Sequence, residues 1–415
     1  MDGVPVPGKQ LRAEGGGVPE DALLEILSRL PVGALHRAKC VATGWRRLIA
    51  DPHNRRRLPQ PLHGFLVLHP EVYGSLHRGG EHGEPGRFLN LQPPPPLQLD
   101  PCLRFLTARP ETKVLSLTDS CNGLLLFQHR LRRHARLLEL IVCNPATERW
   151  VAVPACLHDH RPSIVPETYL LFDPAVSPHF HLLHFWHPAQ EGEEEQEEEE
   201  EDSPITWASA YSSESGTWSH PDTTWGDRQL EEWRLRGQHT MDHAFVRGML
   251  YFLLRRAASD DLMVDDLIVA IDLQARTQRT MAAPAPATMF DRLPLSYGSI
   301  CQSQGHLHYI LDDIEHEQVS VWVLKEEWIL KHTVSTVVLF GSELTINLFG
   351  IKHPKHTFLT MHPDRNVLFF IREQKLVSYA MDTQPVTTCT QSLPDGDIVP
   401  YVPCFRELSA LTAKT

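Results

Sequence analysis

The chain has 415 residues, of which 42% are hydrophobic and 22% are charged, and its formal net charge at pH 7 is −13. This balance is typical of a globular protein, so it excludes wholesale disorder, collagen and coiled coil. Without the ten acidic residues in the run 191–202, the net charge of the remaining chain is only −3. We therefore expect no broad basic surface for nucleic acid.

Segment 1–17 is rich in Gly and polar residues, and it lacks the apolar core of a secretory signal, so we expect a flexible N-terminus. The longest apolar stretches have about six residues, whereas a transmembrane helix needs about 20. The eight cysteines include no C-x-x-C pair, which argues against a zinc ribbon, a thioredoxin-like site and a dense disulfide scaffold. We expect reduced thiols, a location in the cytoplasm or nucleus, and no membrane partner.

Segment 18–58 begins with the pattern of an amphipathic helix. Pro19 suits the first helical position because its missing N–H has no partner there, and Glu20 and Asp21 favour the positive end of the helix dipole. Pro31 then ends the helix. The apolar residues between them follow the spacing of one helix face: Ala22, Leu23, Ile26, Leu27 and Leu30.

Two shorter helical pieces follow in the same segment. The second piece contains Leu35, Ala38 and Val41, and the third contains Trp45, Leu48 and Ile49. Three helices in about 40 residues rarely form a core that is stable alone. The segment therefore either docks on a partner or packs on the rest of the chain.

The sequence VPEDALLEILSRLPVGALHRAKCVATGWRRLIADP resembles an F-box, the module that docks substrate receptors onto the Skp-type adaptor of Skp–cullin–F-box ubiquitin ligases. It is similar to the family pattern L-P-x-D-x-L-x-x-I-L-x-R-L-P, followed by L-x-R-x-x-x-V and W-x-x-L-I. Val18 stands where Leu is commoner, and Gly44 stands where plant members often carry Lys or Ser. The resemblance implies adaptor contacts at Pro19, Leu23, Leu24, Ile26, Leu27, Leu30, Pro31, Leu35, Val41, Trp45, Leu48 and Ile49.

The charge of segment 18–58 agrees with such a partner. It contains eight Lys or Arg and four Asp or Glu, so its net charge is +4. The adaptor of the family is acidic, and opposite charge steers encounter. For Arg55, Arg56 and Arg57, an ordinary solvated helix end is the alternative interpretation.

Residues 59–112 combine one predicted strand, GFLVLH at 64–69, with a linker. Residues 74–112 are rich in Gly and Pro and include four consecutive prolines at 93–96, so we interpret them as linker and loop.

From residue 113 to 405 the chain repeats short apolar runs that are separated by turn residues. Five units span 113–154, 168–221, 240–281, 298–333 and 344–390. Turns that supply positive φ are predicted at Asn122-Gly123, Arg247-Gly248, Gln304-Gly305 and Arg365-Asn366. A period of roughly 40–50 residues with about four strands per unit is typical of a β-propeller blade.

A sixth blade would close the ring if the strand at 64–69 paired with a strand near 397–405. We therefore predict an α+β multidomain protein, with a small three-helix F-box at 18–58 and an all-β propeller of about six blades at 113–405. A C-terminal tail is expected at 406–415.

The motifs SCNGLLLF, VCNPATERW and YSSESGTW are similar to the F-box-associated β-propeller of plant F-box proteins. The resemblance is good over 113–220 and weaker from 240 onward. We interpret the motifs as structural, with Asn122-Gly123 and Asn144-Pro145 in turns and with Trp150 and Trp218 packed between blades.

The histidine run HFHLLHFWH places His179, His181, His184 and His187 in one segment. A zinc site needs three or four convergent ligands, and this spacing on a strand does not supply them, so we expect no metal. His306 and His308 share a strand face and are expected in a hairpin. The motifs G-x-S-x-G, G-x-x-x-x-G-K-[ST] and H-E-x-x-H are absent from the sequence. We expect no catalytic residues and no cofactor.

The acidic run is predicted to be a disordered insertion at 189–204, and a site for a basic partner is the alternative.

The resemblance implies a non-catalytic substrate receptor of a Skp–cullin–F-box ubiquitin ligase. The F-box would bind the Skp-type adaptor, and through it the cullin and RING subunits, while the propeller would bind a target protein that the sequence does not identify. Two alternatives stay open: an adaptor-binding scaffold outside a ligase, and a propeller enzyme with a channel site.

Overall fold

The computed structural model describes residues 18–30, 34, 38, 41–50, 54, 62–68, 86–91, 99–107, 115–130, 138–156, 167–186, 207–220, 242–255, 263–264, 266–284, 287–290, 293–294, 296–341, 345–346, 352–353, 356–393 and 396–411. The chain divides into two units, Met1–Pro59 and Gln60–Thr415. Across the described ranges, no helix combines the length and apolar character that a membrane span requires.

The N-terminal unit contains helices α1 (Glu20–Ser28) and α2 (Thr43–Ala50). Its core consists of Leu24, Leu27, Ala38 and Ile49, against which Leu23, Leu30, Trp45 and Leu48 pack. Of the predicted second helical piece, Ala34 and Ala38 are helical, and most of the rest lies outside the described residues.

The second unit is built from six antiparallel sheets, which confirms the predicted six-bladed propeller. Blade 1 contains β1 (Gly64–Leu68), β2 (Gly86–Asn90) and β28 (Asp397–Tyr401). Blade 2 contains β3 (Leu115–Cys121), β4 (Leu124–Arg130), β5 (Leu138–Asn144) and β6 (Arg149–Val153). Blade 3 contains β7 (Glu167–Leu171), β8 (His181–Trp186), β9 (Trp207–Ser212) and β10 (Thr217–Ser219).

Blade 4 contains β11 (His243–Val246), β12 (Met249–Arg255), β14 (Asp266–Asp272) and β15 (Thr277–Ala282). Blade 5 contains β18 (Ser296–Ser303), β19 (His306–Asp313), β20 (Gln318–Leu324) and β21 (Trp328–Ser335). Blade 6 contains β24 (His356–Met361), β25 (Val367–Arg372), β26 (Lys375–Ala380) and β27 (Val386–Ser392).

Shorter elements lie between the blades. Strands β13 (Met263–Val264), β16 (Ala287–Phe290) and β17 (Leu293–Pro294) form a small sheet, and β22 (Thr345–Ile346) pairs with β23 (Lys352–His353). Helix α3 (Arg104–Thr107) precedes blade 2, and α4 (Thr336–Phe340) follows blade 5.

Blade 1 closes the ring with strands from both ends of the unit. Strand β1 pairs with β2 on one side and with β28 on the other, where Gly64 lies opposite Tyr401 and Leu68 lies opposite Asp397. This is the pairing between the 64–69 and 397–405 strands that the sequence predicted.

Each pair of neighbouring blades shares one cluster of buried apolar side chains, and six such clusters connect the blades in a circle. Each cluster includes residues from both of the blades that it joins. In ring order, starting at the interface of blades 1 and 2 and ending at that of blades 6 and 1, one such pair per cluster is Leu66 and Phe127, Leu126 and Leu182, Leu171 and Phe252, Ile268 and Tyr309, Val321 and Phe370, and Phe65 and Phe369. Both faces of every blade are therefore covered by apolar neighbours, as a propeller requires. Trp150 lies in the first cluster and Trp218 packs against the second, as the sequence predicted.

Three of the four predicted positive-φ turns are confirmed. Asn122-Gly123, Arg247-Gly248 and Gln304-Gly305 have positive φ at both residues, which suits two-residue hairpin turns. The prediction for Arg365-Asn366 is wrong, since neither residue is among the positive-φ positions. That loop is longer, and its ends are joined by a hydrogen bond from the His362 N–H to the Val367 carbonyl.

The segment that we expected to be linker contains β2 and α3. The Asp100 carboxylate accepts hydrogen bonds from the backbone N–H groups of Cys102 and Arg104, which satisfies free donors at the start of α3. Leu103 and Leu106 are buried in the cluster of blades 1 and 2. Residues of the expected C-terminal tail also pack on the propeller, since Leu408 and Leu411 are buried in the cluster of blades 2 and 3.

We predict that Gly298→Ala destabilises the propeller. Gly298 lies in β18 against the Tyr309 hydroxyl, which donates a 2.8 Å hydrogen bond to the buried Asp266 carboxylate. A Cβ at position 298 would overlap both partners of this bond. Overpacking of this kind costs about 1–3 kcal/mol of unfolding free energy, measurable by urea denaturation.

Gly44→Ala in α2 is the matched control, since a Cβ there meets no heavy atom within 4 Å. Equal stability of the Gly298→Ala variant and the wild type would contradict the packing described at blade 5.

Candidate functional site

The structure divides the described members of the twelve predicted adaptor-binding residues into buried, partly buried and exposed groups. Leu24, Leu27 and Ile49 are buried inside the N-terminal unit, where they hold its helices together. Leu23, Leu30, Trp45 and Leu48 are partly buried around this core. Pro19, Ile26 and Val41 are exposed, while Pro31 and Leu35 lie outside the described residues. The role of the whole set in docking stays a prediction.

Three aliphatic side chains of this unit are exposed: Val18 is 54% exposed, Ile26 is 52% exposed and Val41 is 67% exposed. Sequence reasoning did not include Val18, although its position directly before Pro19 in the F-box pattern is a signal that points to it. Ala22 and Ile26 are one turn apart on α1 and are both exposed, opposite Leu24 and Leu27. This outer side of α1 is available for a partner.

Charged groups border the same helix. Arg29 forms an exposed ion pair with Glu25 one turn earlier, with an N–O distance of 2.6 Å. Arg47 in α2 is also exposed, whereas the basic residues 55–57 lie outside the described residues. The described part of the module therefore offers exposed aliphatic groups bordered by charged side chains, which fits the apolar core and polar rim of a protein interface.

The propeller brings polar side chains together at the inner strands of blades 2, 3 and 4. Asp119 in β3 is buried and accepts hydrogen bonds from the N–H groups of Ser120 and Leu170, at 2.6 and 2.7 Å. Its carboxylate lies 3.2 Å from Nε2 of His243 in β11. The carboxylate therefore connects three successive blades near the axis.

Tyr169 completes this polar cluster from blade 3. Its ring packs edge-on against His243, with centroids 4.9 Å apart, and its hydroxyl donates to the Glu167 carboxylate at 2.8 Å. Burial, with the nearby Glu167 charge, raises the pKa of Tyr169 far above its usual value. The hydroxyl thus stays protonated and donates to Glu167 within the same strand, β7.

The histidine run has a structural role at His184. Its Nδ1 lies 2.9 Å from the Thr168 hydroxyl, and its ring stacks on Trp218 with centroids 4.5 Å apart. Burial lowers the pKa of His184 to about 3. His187 lies outside the described residues, and within the described ranges no three His, Cys, Asp or Glu side chains are grouped to hold a metal ion.

The two ends of the propeller differ in their connections. We call the end with the Asn122-Gly123, Arg247-Gly248 and Gln304-Gly305 turns the turn face, and the opposite end the connection face. Because neighbouring strands are antiparallel, each connection is assigned to a face by the strand ends that it joins. The ends of β1, β4 and β8 and the starts of β2, β5 and β9 lie at the connection face, and the residues between them, 69–85, 131–137 and 187–206, lie outside the described residues. The acidic run lies in the segment between β8 and β9, outside the described residues.

Two family profiles match the chain. The profile described as "F-box domain" matches residues 17–57, and the one described as "F-box protein At3g26010-like, beta-propeller" matches residues 96–402. The first match lies within the N-terminal unit, and the second covers most of the second unit.

Three curated proteins of Arabidopsis thaliana are similar to the chain. The putative F-box/kelch-repeat protein At4g22430 is 24% identical over 88% of this chain and 79% of its own length. The putative F-box protein At5g42430 is 28% identical over 38% of this chain and 36% of its own length. The F-box protein At3g07870 is 32% identical over 35% of this chain and 33% of its own length. The matches thus span only about a third of the length of the last two relatives.

We predict that His184 makes the folded protein less stable at acidic pH. The pKa of its imidazole is about 3 in the fold and about 6.5 in an unfolded chain. Between these values the unfolded chain binds the extra proton, so the free energy of unfolding falls as the pH drops below about 6.5. The variant His184→Asn keeps a polar atom for Thr168 but has no imidazole at this position. Between pH 7 and pH 5, its free energy of unfolding should fall by about 2 kcal/mol less than that of the wild type.

Urea denaturation of both proteins at the two pH values measures this difference. The buried His308 and His362 also have lowered pKa values, but they are present in both proteins and cancel. Identical losses of stability would contradict the role assigned to His184.

Proposed function

Because the chain belongs to the family of F-box proteins with an At3g26010-like β-propeller, we propose that it is the substrate-recognition subunit of a Skp–cullin–F-box ubiquitin ligase. The observation that carries the proposal is the joining, in one chain, of an F-box at 17–57 to a propeller at 96–402. In this role the F-box docks the Skp-type adaptor, and through it the cullin and RING subunits, while the propeller binds a target protein.

Such a receptor needs no bond chemistry of its own. Holding a target beside the ubiquitin-charged enzyme raises the effective concentration of target lysines near the thioester. The polar groups near the propeller axis fit this interpretation, because Asp119, Tyr169 and His243 are engaged with one another or with the backbone. We assign them to the architecture of the propeller.

The exposed aliphatic residues of the F-box support the docking side of the proposal. Val18, Ile26 and Val41 expose more than half of their surfaces, although the core of Leu24 and Leu27 beneath them is closed. Covering apolar area yields about 25 cal/mol per Å², so a partner that covers these side chains gains affinity from them. The net charge of +4 in segment 18–58 favours an acidic partner.

The connection face supports the target side of the proposal. Binding residues are disproportionately found on loops that a rigid scaffold positions. At that face the chain has 17 residues between β1 and β2, seven between β4 and β5 and 20 between β8 and β9, whereas the two-residue turns of blades 2, 4 and 5 lie at the turn face. We therefore place target recognition at the connection face.

The state of the cysteines supports a location in the cytoplasm or nucleus. The seven described cysteines are free thiols, at positions 102, 121, 143, 156, 301, 389 and 404. Reduced thiols are typical of these compartments.

We predict that Ile26→Asp and Val41→Asp each reduce capture of the adaptor. A charge at an apolar contact leaves a desolvated carboxylate in the interface, so binding should weaken by about tenfold or more. The test co-expresses the full chain with a Skp-type adaptor and a cullin and measures how much of each partner co-purifies.

Val176→Asp is the matched control, because Val176 is an equally exposed aliphatic residue, at 68%, on the propeller. It should capture both partners as the wild type does. Leu27 is unsuitable for the test, since it is fully buried and its substitution would unfold the module. A folded wild type that captures no adaptor would overturn the proposal, and capture of adaptor without cullin would favour a scaffold outside a ligase.

A further inference from the structure

The space between blades 4 and 5 is filled near the propeller axis and opens toward the rim. Leu253 and Tyr309, on the second strands of these two blades, are 2% and 0% exposed. On the third and fourth strands of blade 5, Trp322 and Trp328 pack against the same cluster but are only half-buried. Leu330 lies opposite Trp322 and is 49% exposed. The two blades therefore diverge toward the rim, and a cleft with apolar side chains opens there.

Blade 4 contributes a row of side chains to the facing wall of this cleft. Tyr251 in β12 lies opposite Ala270 in β14, and Ala270 lies opposite Arg279 in β15. Residues that lie directly opposite each other in antiparallel strands share one face of the sheet. Tyr251 packs against the cluster shared with blade 5, so the exposed Arg279 lies on the side of blade 4 that faces the cleft.

A second arginine lies at the turn-face end of the cleft. Arg247, in the β11–β12 turn, is exposed, and its Nη2 lies 3.2 Å from Nε2 of His306 at the start of β19. Nδ1 of His306 lies 2.8 Å from the Gln304 carbonyl oxygen, which only accepts hydrogen bonds, so Nδ1 carries the proton and Nε2 accepts from Arg247. The imidazole is therefore neutral and leaves the charge of Arg247 uncompensated. We call the opening the rim cleft, and it is lined by Arg247, Tyr251, Arg279, Trp322, Trp328 and Leu330.

The two arginines of the rim cleft differ from their neighbour Arg276. Arg276 forms an ion pair with Asp272 at 2.9 Å, whereas neither Arg247 nor Arg279 is paired with a carboxylate in the described part of the chain. Both charges act on the Tyr251 hydroxyl, where they oppose the rise in pKa that burial causes. Two uncompensated guanidinium groups therefore lie near one tyrosine.

The turn between Trp322 and Trp328 adds further charges beside the cleft. It lies at the turn face and contains Lys325, Glu326 and Glu327, all of which are exposed. With the two arginines, three cations stand against two carboxylates at this end of the cleft, although the net charge of the whole chain is −13. The cleft thus combines half-buried aromatic rings with a locally positive charge.

We propose that the rim cleft is a docking surface for an acidic segment of a partner protein that carries a large apolar side chain. The apolar side chain packs against Trp322, Trp328 and Leu330, and carboxylates of the segment bind Arg247 and Arg279. Trp, Tyr and Arg are the residues that contribute most to binding at protein interfaces, and an arginine can hold a carboxylate through two parallel hydrogen bonds. The rim cleft lies apart from the connection face, so this surface goes beyond the receptor role proposed above.

The experiment measures, by fluorescence anisotropy, the binding of labelled peptides to the folded full-length chain. The probe is the peptide EEDGFGDEE, and EEDGSGDEE has the same charge but lacks the apolar ring. A third peptide, EGEEEQEEEEED, has the sequence of residues 191–202 and represents the acidic run of a second copy. We expect the Phe peptide to bind about tenfold more tightly than either of the others, because burial of an aromatic side chain stabilises the complex.

Arg247→Gln and Arg279→Gln should each weaken binding of the Phe peptide by about three- to tenfold, because a charge-assisted hydrogen bond is lost. Arg365→Gln is the matched control, since Arg365 is an exposed arginine at the turn face of blade 6. It removes the same charge away from the cleft and should bind as the wild type does. Urea denaturation checks that all three variants are folded.

Three results would overturn the proposal. The first is equal binding of the Phe peptide by the wild type and all three variants, or no binding at millimolar peptide. The second is equal binding of the Phe and Ser peptides, because charge alone would then hold them. The third is tighter binding of the peptide 191–202, which would assign the cleft to the acidic run of another copy of the chain.

Discussion

The pairing of β1 with β28 is the interaction on which the rest of the propeller depends. A blade cannot bury either of its two faces alone, so each needs an apolar neighbour on both sides. Blades 2 to 6 are formed from consecutive segments of the chain, but blade 1 takes β28 from the C-terminal end and β1 and β2 from the N-terminal side. Without that pairing, the two clusters that contain Leu66 and Phe65 would be exposed on both sides of blade 1, and the ring of blades would be open.

The sequence predicted the repeating part of this architecture well, because blades 2, 4 and 5 share the same local signals. Gly at a positive-φ turn and alternating apolar runs identify strands such as β4 and β12 without long-range information. Strand β2 was missed because GRFLN, within a Gly- and Pro-rich segment, carries no such signal. It is a strand because β1 lies beside it, and a single sequence does not show that partner.

The docking surface was predicted only in part for a related reason. Helix α1 is apolar on both sides, and Ile26 and Leu27 are adjacent in sequence although one is exposed and the other is fully buried. Helical periodicity places both near one broad stripe and does not separate the residues that hold α1 to α2 from those that face outward. The separation came from the packing of Ala38 and Ile49, which cover Leu24 and Leu27 and leave Ile26 free.

The contact between Lys331 and His308 is one that sequence reasoning does not reveal. Strict alternation along β21 would direct Lys331 and His332 to opposite faces of blade 5. A β-bulge in β21 inserts one residue, so Lys331 reaches His308 while His332 bonds Tyr379 of blade 6. His306 and His308 were recognised as sharing a strand face, but their tautomers are fixed by contacts that only the fold supplies. A displacement of one residue in one strand therefore places an amine beside a neutral imidazole in an otherwise regular blade.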